Sequence, residues 1–139
     1  DFMRSSWIGV VYKREVMSWS KYVDYEGPTN DVRPYIKKCH VYVLPSYHEG
    51  LPRSTLEAMS MGRPILTTNA SGCKETVDEN INGFLVPIGS SKELAKRMIW
   101  FVKNRDEIKS MGEQSRKIVE KRFDVRKVNK EMLKILEIY

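Results

Sequence analysis

The sequence predicts an α/β protein built on a doubly wound parallel sheet, and three observations carry that prediction. Short β-branched and aromatic runs recur between segments of helical spacing. The clearest run does not alternate polar with apolar, as expected of a strand buried on both faces. The connections are short and hold Gly, Pro, Asn and Asp, the residues that end strands and helices.

Taken in order, Trp7–Tyr12 reads as a strand and Glu15–Trp19 as a short helix. Tyr22–Tyr25 reads as a strand closed by a turn at Gly27, Pro28, Thr29 and Asn30, after which Asp31 offers an N-cap for a helix to Lys38. Val41–Leu44 is the next strand, followed by a helix over Arg53–Met61 that Gly62 and Pro64 stop. Ile65–Thr68 is a strand, Gly72–Asp78 a short helix, and Phe84–Val86 a strand released by Asn82 and Gly83. From Ser90 the pattern is helical throughout. Ser90 and Glu93 have capping-box spacing for a helix to Lys103, a second helix runs Arg105–Arg122, and Asp124 caps a third. On that last helix Val125, Val128, Met132, Leu133 and Leu136 line one face.

With 139 residues, 41% hydrophobic and 30% charged, the chain suits one domain, an α/β core over 1–89 and a helical tail over 90–139. It does not open on Met, which suggests a fragment, and no run reaches the ~18–20 apolar residues of a membrane span. Two cysteines form no disulfide framework or metal spacing, which points to a reducing compartment. The formal charge of +6 lies wholly in residues 92–139, which carry 14 Lys/Arg against eight Asp/Glu. That excess suits a solvated helix surface or contact with an anionic membrane. Nucleic acid is not expected, because no reader motif or interleaved aromatics accompany the basic residues.

The chemistry concentrates between residues 44 and 57. A buried strand stops at Pro45 and Ser46, passes through a polar loop, and restarts as a helix near Pro52. Helix N-termini expose unpaired N–H groups and about half a positive elementary charge, which suits phosphate. Gly50, Leu51, Arg53, Ser54, Thr55 and Leu56 span this start, with the Ser54 and Thr55 hydroxyls as further donors. Glu49 and Glu57 bracket it, with seven residues between them. Carboxylates beside an anion site repel phosphate and suit hydroxyl groups, and a sugar nucleotide carries both. Glu57 also admits a plain reading as the i,i+4 ion-pair partner of Arg53.

This stretch resembles the glutamate–seven residues–glutamate motif of retaining glycosyltransferases of family 4, which have the GT-B fold. Leu44-Pro45-Ser46, Leu56-Glu57-Ala58-Met59, Met61-Gly62-Arg63-Pro64-Ile65, Gly72-Cys73-Lys74-Glu75-Thr76-Val77 and Asn82-Gly83-Phe84-Leu85-Val86-Pro87 follow the same pattern. The resemblance covers residues 22–88 well and is nearest in texture to bacterial capsule and O-antigen enzymes. It implies a Rossmann-like donor-binding domain, the C-terminal half of the enzyme, whose N-terminal acceptor domain lies outside this chain. It further implies that Glu49 contacts the donor sugar at the reacting centre and that Gly50 through Leu56 hold the diphosphate. Glu57 would accept from the ribose hydroxyls, and Gly27–Asn30 with Pro45 and Ser46 would border the nucleobase. The implied donor is a UDP- or GDP-linked sugar, without metal or other cofactor, and the acceptor a surface glycan or lipid-linked glycan at the cytoplasmic membrane face. An Arg–Lys phosphate clamp belongs to the pattern, and residues 1–21 show no counterpart. The fragment alone is expected to bind donor weakly and not to transfer.

Other constellations carry less. Cys39 and His40, read on a strand, point to opposite faces and fit no zinc site with His48 and Cys73. His48 is more simply loop surface than a base, and Cys73 a packed small residue. P-loop, dinucleotide-fingerprint and hydrolase-elbow motifs are missing from the sequence. A glycan phosphorylase and a non-catalytic nucleotide-binding module are the competing readings.

Overall fold

The computed structural model describes residues 22–136. The strand and helix expected at Trp7–Tyr12 and Glu15–Trp19 lie outside the described residues. Among those described, three parallel strands pair in the order β1 (Tyr42–Leu44), β2 (Ile65–Thr68), β3 (Gly83–Val86). Tyr42 lies opposite Ile65, and Leu66 opposite Phe84. All four residues of β2 are buried, as a central strand covered on both faces must be.

Alternation along the strands divides the core in two. Tyr42 and Ile65 face α1 (Arg33–Lys38), α2 (Arg53–Ser60) and part of α4 (Arg105–Arg122), packing with Ile36, Ala58, Met59, Ile118 and Val119. Val43, Leu66, Phe84 and Val86 face the other way, onto Phe101 of α3 (Ser91–Lys103) and Met111 of α4. There Trp100 and Phe101 meet the Phe84 ring edge-on at 4.8 and 5.3 Å between centroids. Helices thus cover both faces of a parallel sheet, the α/β architecture that the sequence predicts.

Several local expectations change. Tyr22–Tyr25 is irregular backbone, because Tyr22 and Tyr25 point outward, 65% and 54% exposed, and offer the sheet no buried face. Asp31 does not occupy the N-cap position, which falls on Val32, although its Oδ1 accepts from the Arg33 amide at 3.0 Å. Pro52 is the N-cap of α2, which begins at Arg53 as read from the sequence and ends at Ser60, one residue short of Met61. The helix expected at Gly72–Asp78 contracts to one 3-10 turn, Lys74–Thr76. Cys39 ends α1 instead of lying on a strand, and β1 starts at Tyr42. Burial pushes the Cys39 thiol up to about 11, and Cys73 is wholly buried, so neither is placed to act as a nucleophile.

Two devices lock the helical layer to the sheet. Asn82 is buried between β3 and α4. Its side chain accepts from the Asp78 amide at 2.7 Å and donates to Thr76 O at 3.0 Å and Ser115 Oγ at 3.3 Å. At the end of α2, Gly62 turns with φ +68°, and Gly112 of α4 packs directly on it. A Cβ at Gly112 would stand 2.1 Å from the Gly62 carbonyl oxygen. The tail helix α5 (Val125–Ile135) is capped by Asp124, whose Oδ1 accepts from the Arg126 amide at 2.9 Å, and buries no residue.

Asn82→Ala should lower the unfolding free energy by about 2–3 kcal/mol in urea titration, because it strands a buried amide and a buried carbonyl. Gly112→Ala should cost about 1–3 kcal/mol by the same measurement, because backbone opposes the added methyl. An unchanged midpoint in either variant would contradict the packing described.

Candidate functional site

Because parallel strands all run one way, their carboxyl ends share an edge, and the loops leaving that edge meet. A cleft of about 1100 Å³ opens there, at the end of β1. Leu44, Pro45, Ser46, Tyr47, His48 and Glu49 form one wall, and Pro52, Arg53, Ser54 and Glu57 of the α2 start form another. Asn30, Asp31, Val32 and Arg33 close it from the beginning of α1.

The loop between β1 and α2 is tied from below. Thr67 Oγ1 donates to Leu44 O at 2.8 Å, and Thr68 Oγ1 donates to Ser46 O. Ser46 Oγ donates to Glu49 Oε1 at 3.1 Å, which steers that carboxylate. A Cβ at Gly50 would meet nothing within 4 Å, so no close approach requires a glycine there. Gly72 supplies the close contact instead. It has φ +75°, and a Cβ on it would lie 1.7 Å from Gly50 O.

The start of α2 has no side-chain cap. Thr55 and Leu56 amides donate to Pro52 O at 3.1 and 3.3 Å, and the Arg53 and Ser54 amides donate to no group among the described residues. Glu57 Oε1 lies 3.5 Å from Arg53 Nε, so the plain ion-pair reading is also realised. Arg53 is 92% exposed in its side chain, so this pair is weak and easily exchanged. Across the cleft, Arg33 Nε and Nη2 donate to Asp31 at 2.8 and 2.9 Å. Those hydrogen bonds hold the Asp31 carboxyl below the usual carboxylate range and raise Arg33, with the nearby Glu57 charge adding to the latter. Two guanidinium groups and three carboxylates therefore share the cleft.

Of the residues singled out from sequence, the cleft gathers Asn30, Pro45, Ser46, Glu49, Arg53, Ser54 and Glu57. Gly27, Pro28 and Thr29 do not line it; Thr29 turns inward on its own loop, its hydroxyl donating to Asp31 O at 2.9 Å. Gly50, Leu51 and Leu56 present no side chain to it either. Thr55 is fully buried, so its hydroxyl is no donor at the cleft surface, contrary to expectation. Asp31, Arg33, Tyr47 and His48 are the polar lining residues that sequence reasoning missed or set aside, beside apolar Val32, Leu44 and Pro52. The signal for Asp31 and Arg33 was their place at a helix start following a loop, which in a parallel sheet faces the same edge. Among the described residues no three His, Cys, Asp or Glu side chains gather as for a metal ion.

Residues 18–118 match the family of glycosyl transferases group 1. The chain is 34% identical over 115 residues to an uncharacterized glycosyltransferase of Haemophilus influenzae, covering 82% of this chain and 32% of that protein. It is 29% identical over 94 residues to the capsular polysaccharide biosynthesis glycosyltransferase CapM of Staphylococcus aureus, covering 68% of this chain and 25% of CapM. The crystal structure of Anabaena HepE in complex with UDP superposes with a TM-score of 0.80 at 26% identity, over 86% of this chain and 33% of HepE. A UDP-glucose complex of HepE gives a TM-score of 0.72 at 27% identity, over 79% and 31% of the two chains. This chain thus spans between a quarter and a third of the length of these relatives. The parallel sheet, the helical layers and the matched residues together place the chain in the group 1 glycosyltransferases, with the fold of a GT-B enzyme.

Proposed function

We propose that the chain is the donor-binding half of a retaining family 4 glycosyltransferase that moves a hexose from a nucleotide diphosphate to a surface polysaccharide or lipid-linked glycan. Two carboxylates on one cleft, with the uncapped start of α2 between them, support this reading. The Arg53 and Ser54 amides and the Ser54 hydroxyl face where a diphosphate would sit, held by the partial positive charge of the helix end. Glu57 takes the ribose hydroxyls, releasing Arg53 from its exposed ion pair to turn toward phosphate. Glu49, oriented by Ser46, takes hydroxyls of the donor sugar, and Asn30, Pro45 and Ser46 border the base.

In transfer, the acceptor hydroxyl attacks the anomeric carbon on the face from which the diphosphate departs. The anomeric C–O bond breaks with its electron pair going to the diphosphate, and a phosphate oxygen takes the acceptor proton. Negative charge grows on the leaving group, so preorganised amide donors at α2 stabilise that change without a metal. Arg33 is the further guanidinium lining this cleft, held on Asp31 by its hydrogen bonds. The HepE complexes make a uridine diphosphate donor the first to test. The acceptor and the domain that holds it belong to the part of the enzyme outside this chain.

The tail supports peripheral contact with an anionic membrane on the cytoplasmic side. Arg126, Lys127, Lys130 and Lys134 outnumber Glu131 on α5, whose Val128, Met132 and Leu133 are exposed, as is Leu136 at its C-cap. No helix among the described residues is long and apolar enough to cross a membrane.

Calorimetry with UDP-, GDP- and ADP-sugars should show one that binds, weakened about 5- to 150-fold by Glu57→Ala, which corresponds to about 1–3 kcal/mol. No binding by any of them, or binding indifferent to Glu57, would overturn the donor-site reading. In liposome sedimentation the chain should pellet with vesicles containing anionic lipid and remain in solution with neutral ones; equal behaviour would remove the membrane contact.

A further inference from the structure

Beneath the cleft lies a polar contact that the donor-site reading does not use. Tyr42 opens β1 and is 1% exposed, yet its phenol reaches out of the apolar core to the first turn of α2. Tyr42 Oη donates to Ser54 Oγ at 2.7 Å. Ser54 is half-buried and lines the cleft, and its own hydroxyl donates to no group among the described residues. We infer that Tyr42 is a positioning residue for phosphate: by donating to Ser54 Oγ it directs the Ser54 proton into the cleft. This rests on the reading of the cleft as a diphosphate site.

Hydroxyl chemistry makes the direction of this bond consequential. Each hydroxyl has one proton and two lone pairs. If Tyr42 gives its proton to Ser54, the Ser54 proton is left for an acceptor in the cleft, and a phosphate oxygen is such an acceptor. If Ser54 gave its proton to Tyr42 instead, it would meet phosphate with lone pairs and repel it. Burial raises Tyr42, against the opposing hydrogen bonding of Ser54 and Thr55, so the phenol keeps its proton at neutral pH. The other hydroxyl beside it is Thr55 Oγ1, which is buried without a hydrogen-bond partner, so Ser54 Oγ is the acceptor the phenol meets at hydrogen-bond distance. Ser54 is also too near the start of α2 to turn its proton back onto a helical carbonyl four residues earlier, as a mid-helix serine does. The strand floor thus sets the polarity of one donor on the helix above it.

The test is an NMR titration of the chain with UDP and with uridine, on wild type, Tyr42→Phe, Ser54→Ala and the double variant. The expected result is a loss of UDP affinity of about three- to tenfold for Tyr42→Phe, with uridine affinity unchanged. Ser54→Ala should weaken UDP similarly, and adding Tyr42→Phe to it should do nothing more. Thermal unfolding of each variant without nucleotide checks that the fold is kept. UDP binding unchanged or tightened by Tyr42→Phe would overturn the inference while leaving the cleft assignment intact. Equal loss of UDP and uridine would also overturn it, because that marks a structural role. Failure of the wild-type chain to bind either compound would overturn the cleft assignment and this inference together.

Discussion

Parallel pairing of β1 with β2 is the constraint from which the site follows. Adjacent parallel strands cannot be joined by a tight turn, so the chain must leave β1, cross one face of the sheet as α2, and return to begin β2. Burial of both strands on both faces fixes which side chains point inward. The loop before α2 therefore has one place to go, the carboxyl edge, where the start of α1 also arrives. Threonine hydroxyls of β2 hold the carbonyls of Leu44 and Ser46 as the first strand ends, so the loop leaves from a fixed platform.

The electrostatics of the cleft follow from exposure as much as from charge. Its ion pairs, Asp31 with Arg33 and Arg53 with Glu57, lie at the surface and are each worth little in water. They can be exchanged for ligand contacts at small cost. The unpaired amides at the head of α2 are fixed by the backbone and need no rearrangement to meet an anion. Exposed cations beside two fixed N–H groups suit an anionic ligand.

What the sequence discloses and what it hides divide along one physical line. Val41–Leu44 reads correctly as a buried strand because burial on two faces leaves a run of apolar residues, and the α2 start reads correctly because Pro52 and the polar loop interrupt that run. Ser90 and Asp124 read as caps because capping is local: each accepts from an amide two or three residues away. Tyr22–Tyr25 misleads because aromatic composition imitates a strand, whereas among the described residues its backbone is irregular and both rings are exposed. Gly72–Asp78 misleads because its length allows a helix while Asn82 claims the surrounding backbone groups for a tighter turn. Arg33 and His48 enter the cleft through the meeting of separate loops, and spacing along the chain does not encode that meeting. The partner of Tyr42 is hidden for the same reason, twelve residues away on another element.

The contact of Gly72 with the Gly50 carbonyl ties the segment that bears Glu49 to the connection between β2 and β3. Main chain rests on main chain there, with no side chain between to yield. Substitutions at Tyr47 or His48 can therefore vary what the cleft accepts without moving its acid, whereas lengthening the stretch from Asn69 to Cys73 would re-aim Glu49 from behind. Changes to the lining of the cleft are therefore best made on its outer wall, with that hidden seam left alone.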